Sequence, residues 1–132
     1  MSLKEIDRQV MITLELEKAE KTWGQMEVQV NNGVWEMAAN RLYYALFHAV
    51  SALLIHDHHQ VSSHKGSHIL FGNYYIKTGI LPTEYGALYS QMESIREEGE
   101  YNCTYKVTEE ELLKRLAPAK EMIDRIAEMV KE

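Results

Sequence analysis

Residues Ala38 to His56 contain neither glycine nor proline and are apolar almost all the way round a helical wheel. At about 100° per residue, Leu42, Leu46, Ala49, Val50, Leu53 and Leu54 cover one broad side. The other side holds Ala45, Ala52 and Ile55, crossed by a polar row of Arg41, Tyr44 and His48. A helix that is apolar on both sides is stable only when other elements surround it. The stretch therefore predicts the central helix of an all-α fold, with Arg41 and His48 in need of hydrogen-bond partners at its margin.

The flanking segments supply the surrounding helices. Ile12, Leu16, Ala19, Trp23, Met26 and Val30 recur at alternating gaps of four and three, which predicts an amphipathic helix from Leu3 to Val30. Asn31-Asn32-Gly33 accepts the left-handed conformation of a C-terminal cap. The short link to a second helix, Val34 to His56, then predicts an antiparallel hairpin. Asp57 to Ser63 reads as a loop. A third helix is expected from Ser63 or His64 to Lys77, with Ser63 as N-cap, Ile69, Tyr75 and Ile76 packing inward, and Thr78-Gly79 ending it.

Thr83 is expected to cap a fourth helix, on which Tyr85, Leu88, Tyr89, Met92, Ile95 and Arg96 share one stripe. Arg96 thus falls among apolar residues, away from the acidic Glu93, Glu97 and Glu98. Such a position suits a groove or an interface, from which a long side chain can snorkel to water. Gly99 weakens the helix, and Tyr101 to Val107 forms the last connection. Thr108-Glu109-Glu110-Glu111 is a capping box. It opens a fifth helix with Leu112, Leu116, Ala119, Ile123, Ile126 and Val130 on one face. Pro118 is expected to kink or divide that helix. The pattern as a whole is an antiparallel helical bundle of about five helices.

A chain of 132 residues is most simply one domain, 1–132, and is long enough to bury a core without staples. No run approaches the length of a membrane span, and the N-terminus has no apolar signal-peptide core. The single cysteine, Cys103, fits a reducing cytoplasm. The net charge of −6 argues against a broadly basic nucleic-acid surface, but leaves room for a small basic pocket or one created by dimerisation. No phosphate-binding loop, dinucleotide fingerprint or paired Cys-x-x-Cys is present. His56, His58, His59, His64 and His68 crowd one segment, but no carboxylate-rich helix motif accompanies them, so neither metal nor cofactor is assigned.

Two polar groupings remain. Arg41 and His48 lie two turns apart on one face, where they either satisfy hydrogen bonds or bind an anion and move protons. Arg96 to Tyr101 reads Arg-Glu-Glu-Gly-Glu-Tyr. Its plain reading is an Arg96–Glu100 ion pair one turn apart. Its functional reading is a guanidinium for phosphate with a tyrosine that stacks or donates.

The ordered set Asn40-Arg41-Leu42-Tyr43-Tyr44-Ala45-Leu46-Phe47-His48, then Ser63-His64-Lys65-Gly66, then Phe71 through Lys77-Thr78-Gly79, then Arg96-Glu97-Glu98-Gly99-Glu100-Tyr101, resembles the HEPN superfamily. The similarity is greatest to the small prokaryotic branch with S-R-x-Y-Y-A, S-H-K-G and R-x-x-A-D-Y signatures, and it covers nearly the whole chain. The resemblance implies an up-and-down helical bundle that forms a homodimer. It also implies a toxin-like or nucleotide- and RNA-binding role, with a nucleotidyltransferase antitoxin as partner and metal-independent endoribonuclease activity in catalytic members. Their site is an R-x4–6-H motif. Here Arg96 matches the arginine, Tyr101 stands where the histidine is expected, and Gly99-Glu100 replaces Ala-Asp. Arg41-x6-His48 satisfies the spacing, but on the second helix. The expected catalytic set is Arg96, Tyr101 and His48. The expected nucleotide- or RNA-binding set is Arg41, Tyr44, Arg96, Glu100, His64 and Lys65, the last two at a helix start that favours anions. Without a histidine after Arg96, cleavage is expected to be weak or absent, with anion binding retained. Arg96 on a stripe with Tyr89 and Met92 predicts a two-fold interface near it. The alternative is a non-catalytic helical dimerisation module whose polar residues only fix geometry.

Overall fold

A computed structural model of the chain describes residues 3–60 and 62–131. Met1, Ser2, Val61 and Glu132 lie outside the described residues, and with them the start of the N-terminal segment and one position of the 57–63 loop. Among the described residues the protein is all-α, with no strand. Five α-helices follow in order: α1 Leu3–Asn31, α2 Trp35–His56, α3 His64–Phe71, α4 Thr83–Tyr101 and α5 Glu109–Met129. A π-helical turn, Gly72–Ile76, continues α3.

Side-chain pairs fix the directions. Glu15 meets His48 and Gln25 meets Arg41, so α1 and α2 run antiparallel. Asn40 meets Glu100 while Tyr43 meets Arg96, which makes α2 and α4 antiparallel. Tyr85 with Glu121 and Gln91 with Arg115 do the same for α4 and α5. The central helix is α2, as its all-round apolarity requires. Ala38, Leu42, Leu46, Ala49, Val50, Leu53 and Leu54 are all buried, against Ala19 and Met26 of α1, Tyr89 and Met92 of α4, and Met122 and Ile126 of α5. Gly33, at φ +70°, turns the chain from α1 to α2 in the left-handed region that glycine enters without Cβ strain.

Four local expectations are corrected. Thr83 does not cap α4: Pro82 occupies that position with extended backbone and no side-chain cap bond, and Thr83 is already helical. The third helix does not stay α-helical to Lys77. The π-turn admits an extra residue, with Lys77 N–H donating to the Gly72 carbonyl at 2.9 Å. In that segment Ile69 is 53% exposed and Phe71 faces the core instead, while Tyr75 is buried as expected. Pro118 does not divide α5, which runs unbroken to Met129. Its missing N–H costs one hydrogen bond, and buried Leu112, Ala119, Met122 and Ile126 hold both halves on the core.

Candidate functional site

The two tyrosines of α2 form the floor of a polar cluster. Tyr43 is fully buried and Tyr44 half-buried. Their rings meet edge to face with centroids 5.2 Å apart. Tyr43 stacks on Tyr89 of α4 at 5.8 Å, and the Tyr89 hydroxyl lies 2.8 Å from the Ser67 hydroxyl of α3. Three helices therefore set the plane of the Tyr43 ring.

Arg96, two turns beyond Tyr89 on α4, lies over this floor. Its Cζ is 4.9 Å from the Tyr43 centroid and 5.9 Å from that of Tyr44. The residue is only 8% exposed, so it does not snorkel to water as its position on the stripe suggests. The ring faces attract the cation, by about 0.5–2 kcal/mol for such a contact, and Glu100 anchors it from the rim. Nη1 donates to Glu100 Oε2 at 3.0 Å, and Nη2 is 3.8 Å from Glu97. Nε is buried and makes no hydrogen bond among the described residues. The Glu100 carboxylate is part-exposed, so this ion pair is worth about 1 kcal/mol or less.

Glu100 passes the connection on. Its Oε1 accepts from Asn40 Nδ2 at 3.3 Å, and Asn40 Oδ1 accepts from Arg41 Nε at 3.1 Å and Nη2 at 2.8 Å. Arg41 Nη1 donates to Gln25 of α1 at 3.1 Å, and its Cζ lies 5.1 Å from the Tyr44 centroid. Two guanidinium groups thus share the Tyr44 ring and are linked through one amide and one carboxylate. Asn40, Arg96, Gly99 and Glu100 border a cleft of about 180 Å³. A larger hollow, about 660 Å³, lies by Arg8, His56 and His58, at the other end of α2 from this chemistry.

The remaining wall comes from α3. The Ser63 hydroxyl accepts from Gly66 N–H at 2.9 Å, as an N-cap should. A Cβ at Gly66 would sit 3.0 Å from that hydroxyl, which would have to give by a few tenths of an ångström to admit it. The cap fixes His64 as the first helical residue, with Nδ1 3.0 Å from the Tyr43 hydroxyl. Its ring is 4.5 Å from Phe47 and 5.6 Å from both Tyr43 and Tyr44. Burial, then the nearby Arg96 charge, hold the His64 pKa below the ordinary histidine value. Burial pushes the Tyr43 phenol up to about 12, with Arg96 opposing.

Of the residues singled out from the sequence, Arg96, Glu100, Arg41, Tyr44 and His64 are gathered here. His48 bonds α1, with Nδ1 2.9 Å from Glu15 Oε2, while its ring meets Phe47 edge-on at 5.5 Å and lies 6.5 Å from Tyr44. Tyr101 ends α4 at 83% exposure, outside the cluster, and Lys65 is exposed. The sequence did not single out Asn40, Tyr43 and Phe47 as site residues, although all three lie in the Asn40–His48 motif. Of the other histidines, His56 bonds Asp57 at 2.8 Å and His59 stacks on Tyr74 at 4.1 Å. His68 stacks on Tyr89 at 4.2 Å and pairs with Glu93. Among the described residues no group of three or more such side chains is placed to hold a metal ion.

A family model described as the HEPN domain matches residues 13–130. A Methanocaldococcus jannaschii protein provisionally named a toxin is 30% identical over 129 residues, which is 98% of this chain and 94% of the relative. A second provisionally named toxin of that organism is 30% identical over 96 residues, 73% of this chain and 65% of the relative. A UPF0332 protein of Thermotoga maritima is 34% identical over 95 residues, 72% of each chain.

Proposed function

The chain belongs to the HEPN domain family, and from that premise we propose that it is a toxin-like protein whose Arg96 cluster binds a phosphate of RNA or of a nucleotide. One observation carries this reading: a guanidinium is held with its Cζ 4.9 and 5.9 Å from the centroids of two tyrosine rings, with a buried Nε that no group among the described residues accepts from. A guanidinium is a planar fork suited to phosphate, and orientation by packing removes much of the entropy cost of using it. Arg41 adds a second cation over Tyr44. The half-buried Tyr44 and Phe47 offer faces on which an unpaired base stacks.

In this reading the functional unit is a homodimer with Arg96 near the two-fold boundary, and the antitoxin partner is a nucleotidyltransferase. Two relatives bear names of the toxin class, which supports the toxin-like part of this reading. A second reading has its own support. Arg96 already faces Glu100 and Glu97, and a guanidinium so paired also serves as a lock in a non-catalytic interaction module.

Binding of a labelled single-stranded RNA and of ATP, measured by fluorescence anisotropy and calorimetry with light scattering alongside, separates the two. The phosphate-site reading expects Arg96→Met to weaken binding at least tenfold, about 1.4 kcal/mol, while the dimer persists. Loss of the dimer in Arg96→Met, from a wild type that binds neither ligand, establishes the interaction module instead.

A further inference from the structure

The hollow at the far end of α2 from Arg96 continues into a groove along the bundle. α1 and α5 run antiparallel, because each of the pairs α1–α2, α2–α4 and α4–α5 does. Leu16 borders both the hollow of about 660 Å³ and a second one of about 300 Å³ between α1 and α5. The second is mainly apolar: Ala19 and Trp23 of α1 line it with Ile123 and Ala127 of α5. Lys120 stands at its far end, paired with Asp124 and 5.9 Å from the Trp23 ring centroid. From Arg8 to Trp23 the groove follows about 22 Å of α1, at about 1.5 Å per residue.

Its other end is polar. Arg8 and Lys131 bring cations there, and Glu5 is the one carboxylate that lines it among the described residues. Glu5 pairs with Arg8. Lys131 pairs with no carboxylate among the described residues, so this end is net positive on a chain of net charge −6. Two imidazoles flank it. His56 is held by Asp57, 2.8 Å from Nδ1, and the Tyr75 hydroxyl donates to the other oxygen of Asp57 at 2.6 Å. His58 lies just past the α2 cap at φ +66°, in the left-handed region where glycine is the usual occupant. The His59 N–H donates to the Leu54 carbonyl at 2.8 Å, as in a cap of that kind. A histidine at such a position is strained relative to glycine, and it places an imidazole at the hollow.

We infer that the groove binds an amphipathic carboxylate, a fatty-acid-like ligand whose head group meets Lys131 and His58 and whose hydrocarbon chain passes Leu16 toward Trp23. The head is a carboxylate rather than a phosphate, because the Arg8 fork is already taken by Glu5 and a single ammonium is the free cation that remains among the described lining residues. The chain is held by apolar burial against α1 and α5. This site is separate from the Arg96 cluster and does not rest on the phosphate reading.

The test adds octanoate, decanoate and dodecanoate, each below its micelle concentration, to the full chain carrying Trp35→Phe, so that Trp23 alone reports by fluorescence. Saturable one-to-one binding is expected, tightening about fourfold for each two methylenes added, since an open groove covers about half of each. Lys131→Glu should weaken dodecanoate by about tenfold or more, and decyltrimethylammonium should fail to bind. His58→Gly relieves the left-handed strain, so it should raise the melting temperature of the free protein while weakening dodecanoate severalfold. Weaker binding in a more stable variant is not a folding defect. Dodecanoate that leaves Trp23 unchanged would overturn the proposal. So would an affinity indifferent to Lys131→Glu, or equal for the ammonium compound, since either makes the groove an apolar patch without an anion site. A Trp23 signal that changes with protein concentration, with dimers in light scattering that dodecanoate does not dissociate, would show a second copy covering the groove and would overturn it as well.

Discussion

At the scale of single residues, the site turns on which way each side chain of α2 faces. Tyr43 and Tyr44 are neighbours in sequence, and one is buried while the other reaches the margin. Helical spacing identified Arg96, because a charge on an apolar stripe is conspicuous. It could not identify Tyr43, which looks in sequence like one more aromatic residue of a core helix. Nor could spacing show that His64 meets Tyr43, since that contact joins residues on different helices. Tyr43→Phe removes the hydroxyl that engages His64 and should cost about 1 kcal/mol in chemical denaturation. The histidine also gives the fold a pH dependence. Folding lowers the proton affinity of His64, by burial and then by Arg96, so the unfolded chain binds more protons and stability rises with pH. The contribution is complete above the ordinary imidazole value of about 6.5 and is lost as pH falls through it toward the lower folded value. Urea midpoints should therefore drop on acidification through this range, with a shallower slope in His64→Gln.

At the scale of elements, caps and periodicity were legible where the local chemistry is self-contained. Thr108 accepts from Glu111 N–H at 3.1 Å, as the capping box implies, and Thr108→Ala should destabilise the protein by about 1 kcal/mol. The errors fell where tertiary packing decides. Ser67, Phe71 and Tyr75 reach the core at four-residue spacing, Ile69 turns to solvent between them, and the helix passes into a π-turn at Gly72–Ile76. Eight residues of α3 are too few for their periodicity to single out that face. Pro118 shows the same limit from the other side: its propensity argues for a break, and the buried faces on both sides of it override the local cost. Because Pro118 is exposed and interior to α5, Pro118→Ala should restore a backbone bond and raise the urea midpoint, by about 1 kcal/mol of stability or more.

At the scale of the whole molecule, the fold class was already fixed by an α2 too apolar to stand at a surface, and the family match over residues 13–130 agrees with it. No helix among the described residues is long and apolar enough to cross a membrane. Assembly belongs to this scale as well. Light scattering at micromolar concentration should show a two-fold dimer, and Arg96→Met should not abolish it. What the sequence could not give was the meeting of α2 and α3 residues around the Arg96 guanidinium of α4, because that depends on how separate helices pack. The most direct measurement observes that guanidinium itself. In a nitrogen-edited NMR spectrum of the arginine side chains, the buried Arg96 Nε–H should shift on titration with single-stranded RNA, while that of Arg115, which donates to Gln91 on another surface, stays in place. An Arg96 signal that remains unmoved at saturating RNA would contradict the account.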